Sequence, residues 1–100
     1  MTRQIFPDQS ALALLCQHHH ILRLALFGSR SRGTERPESD VDLLVEFEAG
    51  QEPGLIGLAG IAGEFEVLLG GRRVDLRTAM DLSRHFRADV VQGAQVQYAA

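Results

Sequence analysis

Three aspartates are the residues whose type and spacing most clearly suggest chemistry. Asp40 and Asp42 stand two apart at the start of an apolar run, and Asp75 lies between Val74 and Leu76 in a second apolar segment. On a strand, residues two apart point to the same face and lie about 7 Å apart. Two carboxylates at that separation repel each other and need a cation, an arginine or a proton as compensation. A divalent cation would meet that need directly.

The three carboxylates favour Mg²⁺ over zinc as that cation. If Asp75 belongs to a strand beside the one that begins near Asp40, all three side chains can converge on one spot. Mg²⁺ prefers oxygen ligands, keeps several waters and usually combines a few carboxylates with the phosphates of a substrate. The structural alternative is a set of strand-end aspartates that cap turns or pair with arginines.

Gly28 and Ser29 precede the first aspartate by a ten-residue segment that is rich in arginine. A glycine lets a phosphate approach the backbone, and the amides at the start of a helix attract anions. Gly-Ser pairs are also common in turns, so it is the aspartates downstream that favour a phosphate-binding role. Arg30, Arg32 and Arg36 would add positive charge that suits a metal–triphosphate complex, with solvated surface charge as the alternative.

The composition is that of an ordinary globular chain. Its 100 residues, with net charge −3 and 45% hydrophobic content, predict a single domain over 1–100. The mild acidity argues against stable, direct nucleic-acid binding, for which clustered lysine and arginine would be expected. No apolar run is long enough to cross a bilayer and the N-terminus lacks a secretory signal, so a cytoplasmic location is expected. Cys16, the single cysteine, is expected as a packed, reduced thiol.

The spacing of apolar residues predicts helices and strands that alternate along the chain. Capping residues near the N-terminus and a pair of glycines after residue 69 set two of the helix limits. The fold class is therefore α/β or α+β. Strands are predicted over 21–27, 40–47, 72–76 and 95–99, and helices from Asp8 or Ser10 to about His18, from Gly54 to Gly70–Gly71 and over 82–91, with a helical turn over 29–33.

Two further patterns leave alternatives open. Three successive histidines at 18–20 could suggest a metal site, but they project in three directions around a helix, so a solvated helix end is favoured. The glycines at 54, 57, 60 and 63 each cost roughly 1 kcal/mol relative to alanine inside a helix. Their spacing fits either the close approach of another helix or a weak, frayed helix.

The segments Gly28–Gly33, Ser39–Val45 and Val74–Leu76 together resemble the minimal nucleotidyltransferases of the DNA polymerase β superfamily. That family's pattern begins with an apolar residue, followed by Gly and then by either Gly or Ser. After a gap of roughly ten residues come Asp-apolar-Asp-apolar and, later, an aspartate on a neighbouring strand. The resemblance covers most of the chain. It implies the nucleotidyltransferase fold, with a small mixed β-sheet flanked by helices.

The resemblance also implies roles for the site residues. Asp40 and Asp42 would bind two Mg²⁺ ions, and Asp75 would complete the metal site and favour deprotonation of the attacking hydroxyl. That hydroxyl would attack the α-phosphate of a nucleoside triphosphate in line and release pyrophosphate. The implied nucleotide-binding residues are Gly28, Ser29, Arg30 and Arg32.

Members as small as this chain resemble the antitoxins of two-gene modules in which the toxin is a HEPN-domain ribonuclease. The resemblance implies transfer of AMP from ATP to a hydroxyl of that toxin, commonly a tyrosine, within a hetero-oligomer; a homodimer is also compatible. One alternative is an inactive module that neutralises its partner by contact. Another is nucleotidyl transfer to RNA or a small molecule, which the lack of an additional acceptor domain disfavours. The intact aspartates favour the enzyme.

Overall fold

The computed structural model describes residues 4–27, 40–78 and 95–100. The elements in these ranges match the predicted ones to within two residues at each end. The predicted helical turn over 29–33 and the predicted helix over 82–91 lie outside the described residues. The elements are α1 (Gln9–His18), β1 (Ile21–Phe27), β2 (Val41–Phe47), α2 (Leu55–Leu68), β3 (Val74–Thr78) and β4 (Gln95–Ala99).

The four described strands form one mixed sheet in the order β3-β2-β1-β4. Strand β1 pairs antiparallel with both β2 and β4, whereas β2 and β3 are parallel neighbours. A parallel pair needs a long crossover connection, and α2 provides it between β2 and β3. This sheet confirms the predicted α/β class and the expectation of a small mixed sheet with helices.

The two faces of the sheet differ because side chains alternate along each strand. Val41, Leu43 and Val45 of β2 belong to the main hydrophobic core, which α1 and α2 also contact. The intervening side chains, from Asp42 to Glu46, therefore point to the opposite face. We call this opposite side the aspartate face, and its residues are Asp42, Leu44 and Glu46 of β2, Asp75 and Arg77 of β3, and Arg23 and Ala25 of β1.

Helix α1 begins at a side-chain cap and packs through residues one turn apart. The Asp8 carboxylate accepts a hydrogen bond from the backbone N–H of Ala11 at 3.0 Å. Such N-caps contribute about 1 kcal/mol. Leu12 and Cys16, four residues apart on one side of the helix, are both buried. His20 then takes a positive φ of 59°, and the chain turns into β1.

The buried thiol of Cys16 makes the stability of the fold depend on alkaline pH. Burial raises the pKa of Cys16 from 9.0 to about 12. The unfolded chain therefore loses this proton at lower pH than the folded chain, so the free energy of unfolding should fall as the pH rises from 9 toward 12. Urea unfolding at about pH 8 and about pH 10 would measure the fall. The Cys16→Ala variant should show a smaller fall, and equal falls in both proteins would contradict this account.

Helix α2 ends at Leu68, just before the Gly70–Gly71 pair that the sequence predicts as its stop. Their φ values are 72° and 93°, which glycine adopts without steric cost. The N–H of Gly71 donates to the carbonyl of Glu66 at 2.8 Å, which satisfies one of the free carbonyls at the helix end. At position 57 glycine is favoured for a different reason: a Cβ there would lie 2.8 Å from the Cβ of Pro53, which is too close.

Helix α2 is apolar on both of its sides. Ile61 and Phe65 are buried in the core, whereas Leu55, Ile56 and Val67 are 85%, 91% and 77% exposed. We call these three exposed side chains the outer face of α2. At 14 residues the helix is short, and in the ranges that the structure describes no helix is long and apolar enough to cross a membrane. Exposed aliphatic side chains such as the adjacent Leu55 and Ile56 commonly mark a contact surface.

Candidate active site

Asp42 and Asp75 are direct partners in the parallel pairing of β2 with β3. Neighbouring strands lie about 4.8 Å apart, and register partners point to the same side of a sheet. The structure therefore brings these two carboxylates side by side on the aspartate face. Both residues are half-buried. Two adjacent carboxylates in partly desolvated positions favour a cation between or beside them.

Asp40 occupies the exposed end of this arrangement, one residue before β2 begins. The next residue, Val41, donates its N–H to the carbonyl of Arg73 at 2.8 Å, so the ladder between β2 and β3 starts just after Asp40. Within 4–27, 40–78 and 95–100, no three carboxylate, imidazole or thiol side chains lie close enough to hold a metal ion. Asp42 and Asp75 thus form a pair that Asp40 does not join in this structure.

Gly28, Ser29, Arg30 and Arg32, the expected nucleotide-binding residues, lie outside the described residues, as does Arg36. The structure does place the point from which their segment starts. Phe27, the last residue of β1, is the register partner of Asp42. Strand β1, which ends one residue before Gly28 in the sequence, therefore ends beside Asp42.

Arg77 is a site-adjacent residue that the sequence analysis missed. Its Nε donates to the Asp75 carboxylate Oδ2 at 3.2 Å, and both side chains are partly exposed. Arg77 lies two residues beyond Asp75 on β3, so both point to the aspartate face. The i, i+2 spacing was a signal in the sequence, but the predicted strand ended at Leu76 and left Arg77 outside it.

A second charged pair lies further along the aspartate face. Arg23 and Glu46 are register partners on β1 and β2, and the Arg23 guanidinium contacts the Glu46 carboxylate at 2.6 Å. Ala25 and Leu44, which pair between this ion pair and the aspartates, are buried. The face therefore has two separate polar regions: one holds the adjacent carboxylates of Asp42 and Asp75 together with Arg77, and the other holds the Arg23–Glu46 ion pair.

The three histidines do not share a site. His19 Nε2 contacts the Glu64 carboxylate at 2.7 Å and so connects the end of α1 to α2. His20 Nδ1 lies 3.4 Å from a different carboxylate, that of Glu48. Because His19 and His20 contact different carboxylates, they do not form a shared metal site in this structure. The helix end is not simply solvated either, because His19 takes part in packing the two helices together.

Residues 10–96 match the nucleotidyltransferase domain family, and the match covers most of the chain. The chain therefore belongs to the nucleotidyltransferase domain family. The minimal nucleotidyltransferases are the particular group that it resembles: one solved structure, named provisionally as a minimal nucleotidyltransferase, is 38% identical with a TM-score of 0.71. That likeness covers 86% of this chain and 85% of the other.

A curated relative and two more distant structures add detail. The chain is 38% identical over 60 residues to MJ0435 of Methanocaldococcus jannaschii, which is named provisionally as a protein adenylyltransferase. That alignment covers 60% of this chain and 61% of the relative. A toxin–antitoxin structure with AMP-PNP is 23% identical over 93% of this chain and 74% of the other, with a TM-score of 0.72. A complex of the tri-AMPylated Shewanella oneidensis HEPN toxin with its MNT antitoxin is 20% identical over 92% and 70%, with a TM-score of 0.63. These two likenesses show the fold alone.

Proposed function

We propose that the chain is a Mg²⁺-dependent nucleotidyltransferase that transfers AMP from ATP to a hydroxyl group of a HEPN toxin and thereby acts as its antitoxin. The observation that carries this proposal is the register pairing of Asp42 with Asp75 at the end of the sheet. In a member of the nucleotidyltransferase domain family, adjacent carboxylates beside the end of β1 support a site for nucleotidyl transfer.

The donor atoms at this end of the sheet fit magnesium. Asp40, Asp42 and Asp75 offer carboxylate oxygens alone, and Mg²⁺ often binds through one or two carboxylates plus the phosphates of its substrate. The close pair, with Asp40 at the exposed end beside it, is therefore sufficient for such a site once a nucleotide is bound. Bound Mg²⁺ would neutralise negative charge on the triphosphate during transfer.

The chain's own residues would bind the nucleotide and take up the proton. Gly28 and Ser29 would donate backbone N–H groups and a hydroxyl to the phosphates, with Arg30 and Arg32 as further phosphate contacts. The acceptor oxygen attacks the α-phosphorus while the bond to pyrophosphate breaks, and Asp75 favours loss of the hydroxyl proton. Positioning the two reactants in this way supplies much of the rate enhancement.

The outer face of α2 supports a protein partner. Leu55 and Ile56 project from the start of the helix beside a groove of about 460 Å³, which is lined mainly by apolar side chains and includes Leu22, Phe47 and Leu58. None of the aspartates lines that groove. A partner that covered this surface would bury aliphatic area at a distance from the carboxylates, and the reacting hydroxyl would come from another part of the partner.

The same surface supports the second candidate function, in which the chain neutralises its partner by contact without transferring a nucleotide. This function needs no metal, and the separation of Asp40 from the Asp42–Asp75 pair favours it. Transfer to RNA or to a small molecule has no specific support in the described residues. One assay can distinguish transfer to the partner protein from transfer to RNA or to a small molecule.

The assay uses ATP labelled on either the α- or the γ-phosphate, together with Mg²⁺ and the product of the adjacent reading frame. We expect the α-label on the partner protein and the γ-label in released pyrophosphate. A γ-label on the partner would indicate phosphoryl transfer and overturn the proposal. Parallel tubes with total RNA or without the partner test the other acceptors, and an α-label that appears only there would also overturn the choice of a protein acceptor.

A further inference from the structure

Arg77 lies beside the carboxylate pair without belonging to the family's motif as it appears in this sequence. Its side chain is 48% exposed, that of Asp75 is 39% exposed, and its Nε is 3.2 Å from Asp75 Oδ2. The register partner of Arg77 is Leu44, two residues along β2 from Asp42. The backbone of Arg77 thus lies one step along the aspartate face from Asp42 and Asp75, and its guanidinium reaches back to the Asp75 carboxylate.

The contact with Arg77 engages an oxygen that a metal ion would use. A guanidinium and a divalent cation both bind carboxylate oxygens, and the two repel each other when they share one carboxylate. A metal ion that binds Asp75 must therefore displace Arg77 from Oδ2 or bind against its charge. Because the ion pair is partly exposed, its strength is modest and displacement is feasible.

We propose that Arg77 is the resident counterion of Asp75 and competes with a divalent cation for that carboxylate, so that Arg77 lowers the metal affinity of the nucleotide-free site. This inference rests on the proposed function, since it takes Asp42 and Asp75 as metal ligands. Arg77 is thus a positioning residue that acts through Asp75. In the absence of nucleotide it keeps the site weakly metallated, and the phosphates of an arriving nucleotide then offer the released guanidinium another anionic partner.

The test measures Mn²⁺ binding to the nucleotide-free protein, with the electron paramagnetic resonance signal of free Mn²⁺ as the readout. We expect Arg77→Gln to tighten binding about threefold to fivefold, the upper part of the range that corresponds to losing one partly exposed ion pair. Arg77→Lys keeps the charge and should stay closer to wild type. This measurement needs neither ATP nor a partner, so it is independent of transfer activity.

Arg23→Gln is the matched control. It removes the same charge from the same face, but Arg23 is paired with Glu46, which lies four residues and about 13 Å along β2 from Asp42. That separation exceeds the screening length in ordinary salt, so its effect on Mn²⁺ affinity should stay within about twofold. Equal tightening by both variants would show a general effect of net charge and overturn the role of Arg77.

The remaining outcomes separate this inference from the proposed function. If Asp42→Asn and Asp75→Asn both weaken Mn²⁺ binding while Arg77→Gln leaves it unchanged or weaker, Arg77 is not a competing counterion, but the metal site stands. If the two aspartate variants bind Mn²⁺ as wild type does, the metal site itself is wrong. If neither wild type nor Arg77→Gln binds Mn²⁺, the inference also fails, whereas binding by Arg77→Gln alone would support it.

Discussion

Replacing Asp42 by asparagine is expected to reduce AMP transfer to the partner about a hundredfold or more. The substitution keeps the size of the side chain but removes the negative charge that faces Asp75 across the register of β2 and β3. Loss of one preorganised electrostatic contact in an active site commonly costs about 10²–10³ in rate. Initial rates of α-label transfer at saturating ATP, Mg²⁺ and partner would give the ratio.

Glu46→Gln is the matched control for this substitution. Glu46 is on the same strand and the same face, but its carboxylate is ion-paired with Arg23 at 2.6 Å, away from the aspartates. We expect its transfer rate to stay within about twofold of wild type. If the Asp42→Asn protein unfolds at the wild-type temperature and still keeps more than roughly a tenth of the wild-type rate, Asp42 is not essential for transfer.

The Phe65→Ala substitution is expected to lower the free energy of unfolding by about 3–5 kcal/mol. Phe65 is 0% exposed, and its ring meets that of Phe6 edge to face, with centroids 5.8 Å apart. Truncation leaves a cavity under α2 and removes the aromatic contact that attaches the N-terminal segment. In a domain of this size the loss is a large share of total stability. Urea unfolding, followed by circular dichroism, measures it.

Val67→Ala provides the comparison on the same helix. Val67 is 77% exposed on the outer face of α2, so its truncation should change the free energy of unfolding by less than about 0.5 kcal/mol. If the two variants lose similar stability, the described packing of α2 against the core is wrong. The same pair also separates folding from partner binding, because Val67 lies on the proposed contact surface and Phe65 does not.

The limits of the helices could be predicted because their signals are local. Asp8 caps α1 as expected, and Gly70 and Gly71 end α2 through positive φ values. Apolar runs also located the strands, since the run of Val41, Leu43, Leu44 and Val45 is visible from neighbouring residues alone. Such patterns follow from the geometry of helices and strands themselves.

The limits of β3 could not be predicted, because they depend on its pairing partner. The prediction placed this strand at 72–76, whereas the structure has it at Val74–Thr78. Pairing begins at Val74 because its register partner is Val41, the first residue of β2. A register of this kind is a property of two distant segments and the crossover that joins them. The shift by two residues is what brings Arg77 into the strand beside Asp75.

The site was predicted as three converging carboxylates, and the structure supports part of that geometry. Asp42 and Asp75 are adjacent, whereas Asp40 stays at the exposed end of the sheet. Sequence spacing could indicate that two strands carry acidic residues, but it could not decide how far Asp40 turns toward the other two. The roles of the aspartates, and those of Gly28 and Ser29, stay predictions.

The Asp42–Asp75 pair is proposed to serve AMP transfer to a protein partner. The most direct measurement is the intact mass of the partner after incubation with the wild-type chain, ATP and Mg²⁺. We predict that the partner gains the mass of one or more AMP groups and that, in the same incubation time, it gains little or none with Asp42→Asn or Asp75→Asn. A partner whose activity is silenced by the wild-type chain while its mass is unchanged would contradict the account and show neutralisation by contact.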